Sequence, residues 1–324
     1  MTTTKQISAI MALKIKGRHY PHNVGRCDIL FESLRRFMDK GLISEFIIIV
    51  PPEEAEEIAG HARAWSDFPI RLVAEDKYLE KFKEFNKWYE VRPWHRQQII
   101  KLFCAELVEN DYFIIFDPDM FATQTFGYDD LIIDGKSLVQ TEPKQDHTDW
   151  WESSAKVLGV EPQMASTGLC VTPEILSKEV CISLTRRIAD KYQKSWHEVL
   201  LSRYTINWTE YTLYWTHLES EANIEMFHRL APRPDGLYLH ASLNVWLRDQ
   251  FDSLDFKLLF SNQNKGIFCT IQSNTGVTPQ DIAKRLSTWL PVRLQKYRIE
   301  THRIEKLKEL VGAVTRRVMQ KLGL

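Results

Sequence analysis

The sequence holds no Cys-x-x-Cys pair, no Cys/His spacing suited to zinc and no H-E-x-x-H pattern. Its five cysteines, Cys27, Cys104, Cys170, Cys181 and Cys269, are odd in number and sit among apolar neighbours. That argues against a disulfide framework and for buried, reduced thiols in a reducing compartment. Neither G-x-G-x-x-G nor G-x-x-x-x-G-K followed by Ser or Thr occurs, which speaks against a dinucleotide fold and a P-loop. An excess of either charge is missing as well. The 42 Lys and Arg meet 43 Asp and Glu, for a net charge of −1, so there is no general pull toward nucleic acid or anionic membrane. No apolar stretch approaches the roughly 18 residues of a bilayer span. Polar Met1–Gln6 leads straight into a strand-like run without a cleavage pattern. A cytoplasmic protein, or one peripheral on the inner face of the membrane, is expected. Internal repeats and low-complexity tracts are also lacking.

What is present fits a globular chain with a sizeable core: 324 residues, 44% hydrophobic and 26% charged. Ten Trp bring the aromatic content to 11%, as in many carbohydrate-handling proteins and in many ordinary cores.

Residues 1–145 alternate strand and helix. Strands are expected at Ile7–Ile15, Phe46–Val50, Ile70–Ala74, Tyr112–Phe116 and Ser137–Thr141, and helices at Cys27–Lys40, Glu53–Trp65 and Trp94–Val108. Such alternation implies right-handed crossovers and a mainly parallel sheet. Residues 146–278 form a mixed half, with helices at Trp150–Leu158, Pro173–Lys191 and Trp208–Leu218. Short strands are expected near Leu169–Val171, Gly236–His240 and Ile267–Gln272. Residues 279–324 read as a helical tail. Its end repeats Ile304, Leu307, Val311, Val314, Val318 and Leu322 at helical spacing. Residues 303–324 also carry six Lys or Arg against two acids. A basic amphipathic helix suits an anionic membrane, a second subunit or the domain itself.

The most informative segment is Tyr112-Phe-Ile-Ile-Phe-Asp117-Pro-Asp119-Met-Phe121. An apolar run ends in two carboxylates two positions apart. In an extended strand these point the same way, roughly 6.5 Å apart, so both can address one hard cation. Open α/β sheets bind ligands at the carboxyl ends of their strands. The pattern points to a metal-assisted reaction on a phosphorylated substrate.

Together with Trp94-His-Arg-Gln-Gln-Ile-Ile-Lys101-Leu, Ser166-Thr-Gly168 and Trp208-Thr-Glu210-Tyr-Thr-Leu-Tyr214-Trp, this segment resembles the GT-A glycosyltransferases with their D-x-D motif. The likeness is closer to bacterial-type surface-polysaccharide glycosyltransferases with a W-x-R-Q-Q-x-x-K-L helix, and covers roughly residues 7–275. It implies a GT-A, Rossmann-like α/β fold whose mainly parallel sheet is flanked by helices. It also implies a nucleotide-sugar donor, a glycan or glycolipid acceptor and a divalent cation, Mn²⁺ or Mg²⁺. Asp119 matches the direct metal ligand. Asp117 would contact the ribose or the metal's waters. A further ligand commonly comes from the second half, where His240 is the first choice and His228 the second.

Trp94, Gln97, Gln98 and Lys101 share one helical stripe. Arg96 and Lys101 are candidate phosphate counter-charges, and Gln97 a candidate for sugar hydroxyls. Ala12 and Lys14 leave the first strand where this fold holds the nucleotide, and Asp76 is a candidate for base or ribose. Ser166 and Gly168 suit a small-residue turn beside the donor sugar. Glu210, flanked by Trp208, Tyr211 and Tyr214, either grips sugar hydroxyls of the substrate, acts as general base or is simply a helix N-terminal acid favoured by the dipole. Asp149, beside Trp150 and Trp151, competes for the role of base. Two other readings stay open: a non-catalytic nucleotide-sugar-binding protein, and a haloacid-dehalogenase-like phosphotransferase. The latter's D-x-D-x-T/V motif has Phe121 at its fifth position here.

Overall fold

The computed structural model describes residues 5–17, 20, 22–77, 93–202 and 207–296. Strands β1 (Ile7–Ala12), β2 (Ile43–Val50), β3 (Ile70–Ala74) and β4 (Tyr112–Phe116) run parallel. Between them lie the helices α1 (Asn23–Phe37), α2 (Ala55–Ala62) and α3 (Pro93–Phe103). The short β5 (Met120–Ala122) follows β4. Later come β6 (Ile132–Ile133), β7 (Lys136–Val139), β8 (Glu142–Pro143), α4 (Thr148–Leu158), β9 (Thr167–Gly168), β10 (Glu174–Ser177) and α5 (Lys178–Tyr192). Helix α6 (Glu210–Ser220), β11 (His228–Leu230), β12 (Tyr238–His240), β13 (Gly266–Thr270) and α7 (Pro279–Leu286) follow, with shorter helices such as Trp196–Leu201 and Arg248–Ser253 between them.

The central sheet has the order β10-β4-β1-β2-β3. Its strands are apolar at almost every position because both faces are covered, and alternate residues go to opposite cores. Ile10, Ile47, Ile49, Phe113 and Ile115 join α3, α4, α5 and α6 on one face. Ala9, Met11, Phe46, Ile48, Ile114 and Phe116 join α1 and α2 on the other. A third cluster packs α7 against Phe121, Cys269 and Ile271. The chain builds β1, β2 and β3 outward in one direction, then crosses back to place β4 on the other side of β1. The crevice between β1 and β4 is therefore a topological switch point.

Several expected elements differ. The segment from Pro173 begins as a strand, not a helix: β10 pairs antiparallel with β4, so the second half completes the first half's sheet. Here Glu174 through Ser177 are all buried, a pattern that strand and helix share over so few residues. The strand near Ser137 joins β6 and β11 in a separate sheet. Near Leu169 only the two-residue β9 forms, against β8. Helix α1 starts four residues before Cys27 and stops at Phe37. Helix α3 gives way to a 3-10 turn at Cys104–Glu106. The tail is helical over Pro279–Leu286, but residues 287–296 form no regular element. The expected basic helix at 303–324 lies outside the described residues. All five cysteines are free, and four are buried. Among the described residues no helix is long and apolar enough to cross a membrane.

Candidate functional site

A cleft of about 620 Å³ opens at the switch point. Ala12, which ends β1, with Leu13 and Lys14 after it, forms one side, and Asp117, Pro118 and Asp119, which follow β4, form the floor. The exit of β1 is held from both sides. Leu13 N donates to Ile49 O at 2.8 Å, Ile15 N donates to Glu54 Oε2 at 2.6 Å, and Asn23 Nδ2 donates to Lys14 O at 2.8 Å.

The two aspartates do not share an extended strand. They sit in the turn between β4 and β5, where the chain leaves the central sheet for the β12-β13-β5 sheet. Each is fastened by a different half of the structure. Asp117 is held from α3: Gln97 Nε2 donates to its Oδ1 at 3.0 Å and Lys101 Nζ to its Oδ2 at 3.2 Å. Asp119 is held by the segment after β13: Ser273 N donates to its Oδ2 at 2.7 Å, and Ile271 N to its backbone carbonyl at 2.9 Å. Burial, and then the charge of Asp117, push the Asp119 carboxyl above its ordinary range, opposed by Arg26 and the Ser273 bond.

Lys101 is the hub. Its ammonium lies 3.2 Å from Asp117 and 3.1 Å from Glu210. It also reaches Thr172 Oγ1 at 3.4 Å, which lies 3.1 Å from the Tyr211 hydroxyl. Burial pulls the lysine pKa down, but the two carboxylates outweigh it and the net shift is upward. Glu210 opens α6, where Thr209 caps the helix and Glu210 N donates to Gln98 Oε1 at 3.3 Å. Burial raises its pKa and Lys101 opposes the rise. Glu210 is thus an ion-pair partner of Lys101 in the cleft wall, rather than an acid isolated among aromatic rings. Trp208 and Tyr214 are buried in the core, and Tyr211 is the neighbour that reaches the cleft.

All four residues of the α3 stripe, Trp94, Gln97, Gln98 and Lys101, line the cleft. Arg96 lines it too and pairs with Glu75. Other expected site residues lie elsewhere. Asp76 is half-buried in the turn after β3, and its neighbour Glu75 takes the place in the cleft wall. Asp149 is exposed, bonded to Asn207 Nδ2 at 2.7 Å and outside the cleft. Ser166 donates to Glu219 Oε1 at 2.9 Å, beside the Lys144–Glu219 ion pair. Gly168 permits close packing, since a Cβ there would fall 2.2 Å from the Trp151 ring. The part of that chain segment in the cleft comes slightly later, at Cys170, Val171 and Thr172.

His240 does not join the aspartates. It is buried, its Nε2 lies 3.3 Å from Glu174 Oε1, and burial pushes its pKa down to about 3. His228 bridges Ser137 Oγ and the Tyr214 hydroxyl, each at 2.8 Å, deep in the core. The reason is register: His240 ends β12 opposite Phe268 of β13, two residues before Thr270, which does line the cleft, and its ring goes to Glu174. Among the described residues no three His, Cys, Asp or Glu side chains form a ligand group. Two carboxylates remain at the floor, oxygen donors of the kind hard divalent cations take. Mg²⁺ in particular is often held by one or two carboxylates, with waters and substrate phosphates completing its shell. The floor fits such an ion. The described lining carries six carboxylates (Glu53, Glu75, Asp117, Asp119, Glu142 and Glu210) against the cations Lys14, Arg96 and Lys101.

Ser273, Thr172, Glu53, Glu142, His147 and Trp246 were not foreseen as lining residues. Glu142 comes from β8, His147 from the N-cap of α4, and the others from segments that connect the main elements. Only the position of Ser273, just beyond the expected strand Ile267–Gln272, offered a cue.

A family model described as a family of unknown function (DUF6492) matches residues 4–294. None of the curated proteins matches the chain. Among solved structures, apo mouse xyloside xylosyltransferase 1 is similar at 14% identity and TM-score 0.47, covering 84% of this chain and 99% of that one. The mannosyltransferase Ktr4p of S. cerevisiae is similar at 12% identity and TM-score 0.42, covering 66% of each chain. The bifunctional glycosyltransferase WbbM, apo, is similar at 11% identity and TM-score 0.42, covering 89% of this chain and 50% of that one.

Proposed function

We propose that this chain, which belongs to the family of unknown function DUF6492, is a glycosyltransferase. It would move a sugar from a nucleotide-diphosphate donor to a glycan or glycolipid acceptor, with Mn²⁺ or Mg²⁺ bound. The observation that carries this reading is the place of Asp117 and Asp119 at the floor of the cleft, at the switch point of a parallel sheet.

A diphosphate brings negative charge into a cleft whose described lining already has twice as many carboxylates as cations. Close like charges repel strongly where water is scarce. A divalent cation at the floor supplies the positive charge that stabilises the departing diphosphate. Asp119, held by Ser273 rather than by an ammonium, would hold that ion. Asp117 has both oxygens occupied by Gln97 and Lys101, so it suits the ion's waters or the ribose. Lys101 keeps its proton and fixes the angle between Asp117 and Glu210. Ala12 and Lys14 would receive the nucleotide, and Arg96 would meet phosphate; all three line the cleft. Glu210, with its raised affinity for a proton, suits removal of the proton from an acceptor hydroxyl.

The test is incubation with a panel of nucleotide sugars, with and without Mn²⁺. Metal-dependent release of a nucleoside diphosphate supports the reading. Release of inorganic phosphate alone would replace it with phosphotransfer, and binding without turnover would replace it with a non-catalytic role.

A further inference from the structure

Besides Tyr211 of α6, aromatic residues of other elements meet the cleft. Trp94, His147 and Trp150 are half-buried and line it from one wall. The His147 and Trp150 rings lie one on the other, centroids 3.9 Å apart and 5° from parallel. Trp94 approaches Trp150 at 6.0 Å, tilted by 45°. The platform is fixed by secondary structure at both ends. His147 is the N-cap of α4, one helical turn before Trp150. Trp94 stands in the first turn of α3, and the same helix carries Lys101. Seven residues of helix separate Trp94 from Lys101 by about 10 Å. Trp94 and Lys101 thus stand about two helical turns apart on one helix that lines the cleft. Glu142, a few residues before His147, adds a carboxylate to the cleft lining.

We propose that Trp94, His147 and Trp150 form the acceptor subsite, and that its occupant is a pyranose ring of a glycan stacked by its C–H face. The proposal rests on the glycosyltransferase reading and names the acceptor side of the same cleft. A pyranose combines a flat apolar face with a rim of hydroxyls. It matches a rigid ring platform with a carboxylate acceptor nearby. A purely apolar occupant would leave that carboxylate desolvated without a partner.

Direct binding tests the proposal without requiring turnover. Saturation-transfer NMR is recorded with the methyl pyranosides of glucose, galactose and mannose, and affinities for UDP, GDP and CMP with Mn²⁺ are measured in parallel. In the wild type, ring C–H protons of at least one glycoside receive saturation. Trp150→Ala and Trp94→Ala each weaken that glycoside about three- to tenfold. Trp150→Phe keeps most of the binding, and nucleotide affinity stays within about twofold throughout. Should Trp150→Ala fail to fold, His147→Ala and Trp150→Phe carry the comparison. The proposal is overturned if no glycoside binds the wild type, or if the alanine variants bind glycoside unchanged. It is also overturned if they lose nucleotide instead, which would make the wall a platform for the base. Failure of the glycosyltransferase reading appears separately, as no nucleoside diphosphate released from any donor.

Discussion

Replacing Lys101 with methionine would remove one ammonium and leave two carboxylates facing the gap. The lysine nitrogen sits 3.2 Å from Asp117 and 3.1 Å from Glu210. Lys101 and Glu210 side chains are only 4% and 2% exposed, against 22% for Asp117. Methionine has a similar length, so the cost is electrostatic rather than a cavity. Removing one member of a buried pair costs about 3–5 kcal/mol while the other stays charged. Glu210 dominates that cost, because Asp117 is partly screened by water. Glu210 escapes it by binding a proton. Burial already raises its pKa, and loss of Lys101 removes the main opposing pull. A carboxyl whose folded pKa exceeds its unfolded value contributes stability that is complete below the unfolded pKa. That stability is lost as pH rises through the folded pKa. The variant's deficit is thus small near pH 4.5, the ordinary glutamate value, and grows toward about 3 kcal/mol at neutral to mildly alkaline pH. Lys101 in the wild type stays charged across that window, since its own pKa is raised. Urea unfolding followed by tryptophan fluorescence, at a series of pH values, measures the difference. Adding Glu210→Gln to Lys101→Met removes the stranded charge and should return about 2 kcal/mol at neutral pH. A deficit independent of pH, or one deepened by the second substitution, would refute the reasoning.

Asp119→Asn should abolish metal-dependent diphosphate release while leaving the unfolding midpoint unchanged or about 2 °C higher, because it ends the repulsion between the aspartates. A midpoint several degrees lower would mean that the Asp119 charge is structural. Stabilisation by Mn²⁺, read as a thermal shift, should be full at neutral pH and fade as pH falls through the raised Asp119 pKa. Ligation needs the anion, so a shift independent of pH would place the ion elsewhere. Glu210→Gln should lower turnover more than donor affinity, whereas equal losses would move Glu210 to the donor side. Gly168→Ala forces a methyl against Trp151 and should cost about 1–3 kcal/mol in urea unfolding. Nucleotide affinity should not change, and a weakened affinity would put Gly168 back in the site.

Strands β1, β2, β3 and β4 were legible because each is a short apolar run bounded by turn residues or a change of period. The α3 stripe was legible because helical spacing alone puts Trp94, Gln97, Gln98 and Lys101 on one face. Strand β10 was not, since four buried residues ahead of a long helix read as its first turn. The histidines misled for a related reason. An imidazole at the end of an apolar run looks the same whether it faces a cleft or, like His240, a buried glutamate. Aromatic richness in Trp208–Trp215 marks core packing at all but Tyr211, while Trp94, His147 and Trp150 reach the cleft from other segments.

Local sequence, through the alternation of apolar runs and the acids at Asp117 and Asp119, was enough to determine a parallel α/β sheet and the strand end where chemistry belongs. Periodicity acts over a few residues, and those features need no more than that. The partners of the acids came only with the tertiary structure. Lys101 is tied to Glu210 across 109 positions, and Asp119 to Ser273 across 154. Neither pairing leaves a local trace, because it is made by packing α6 and the end of β13 against the mouth of the first sheet.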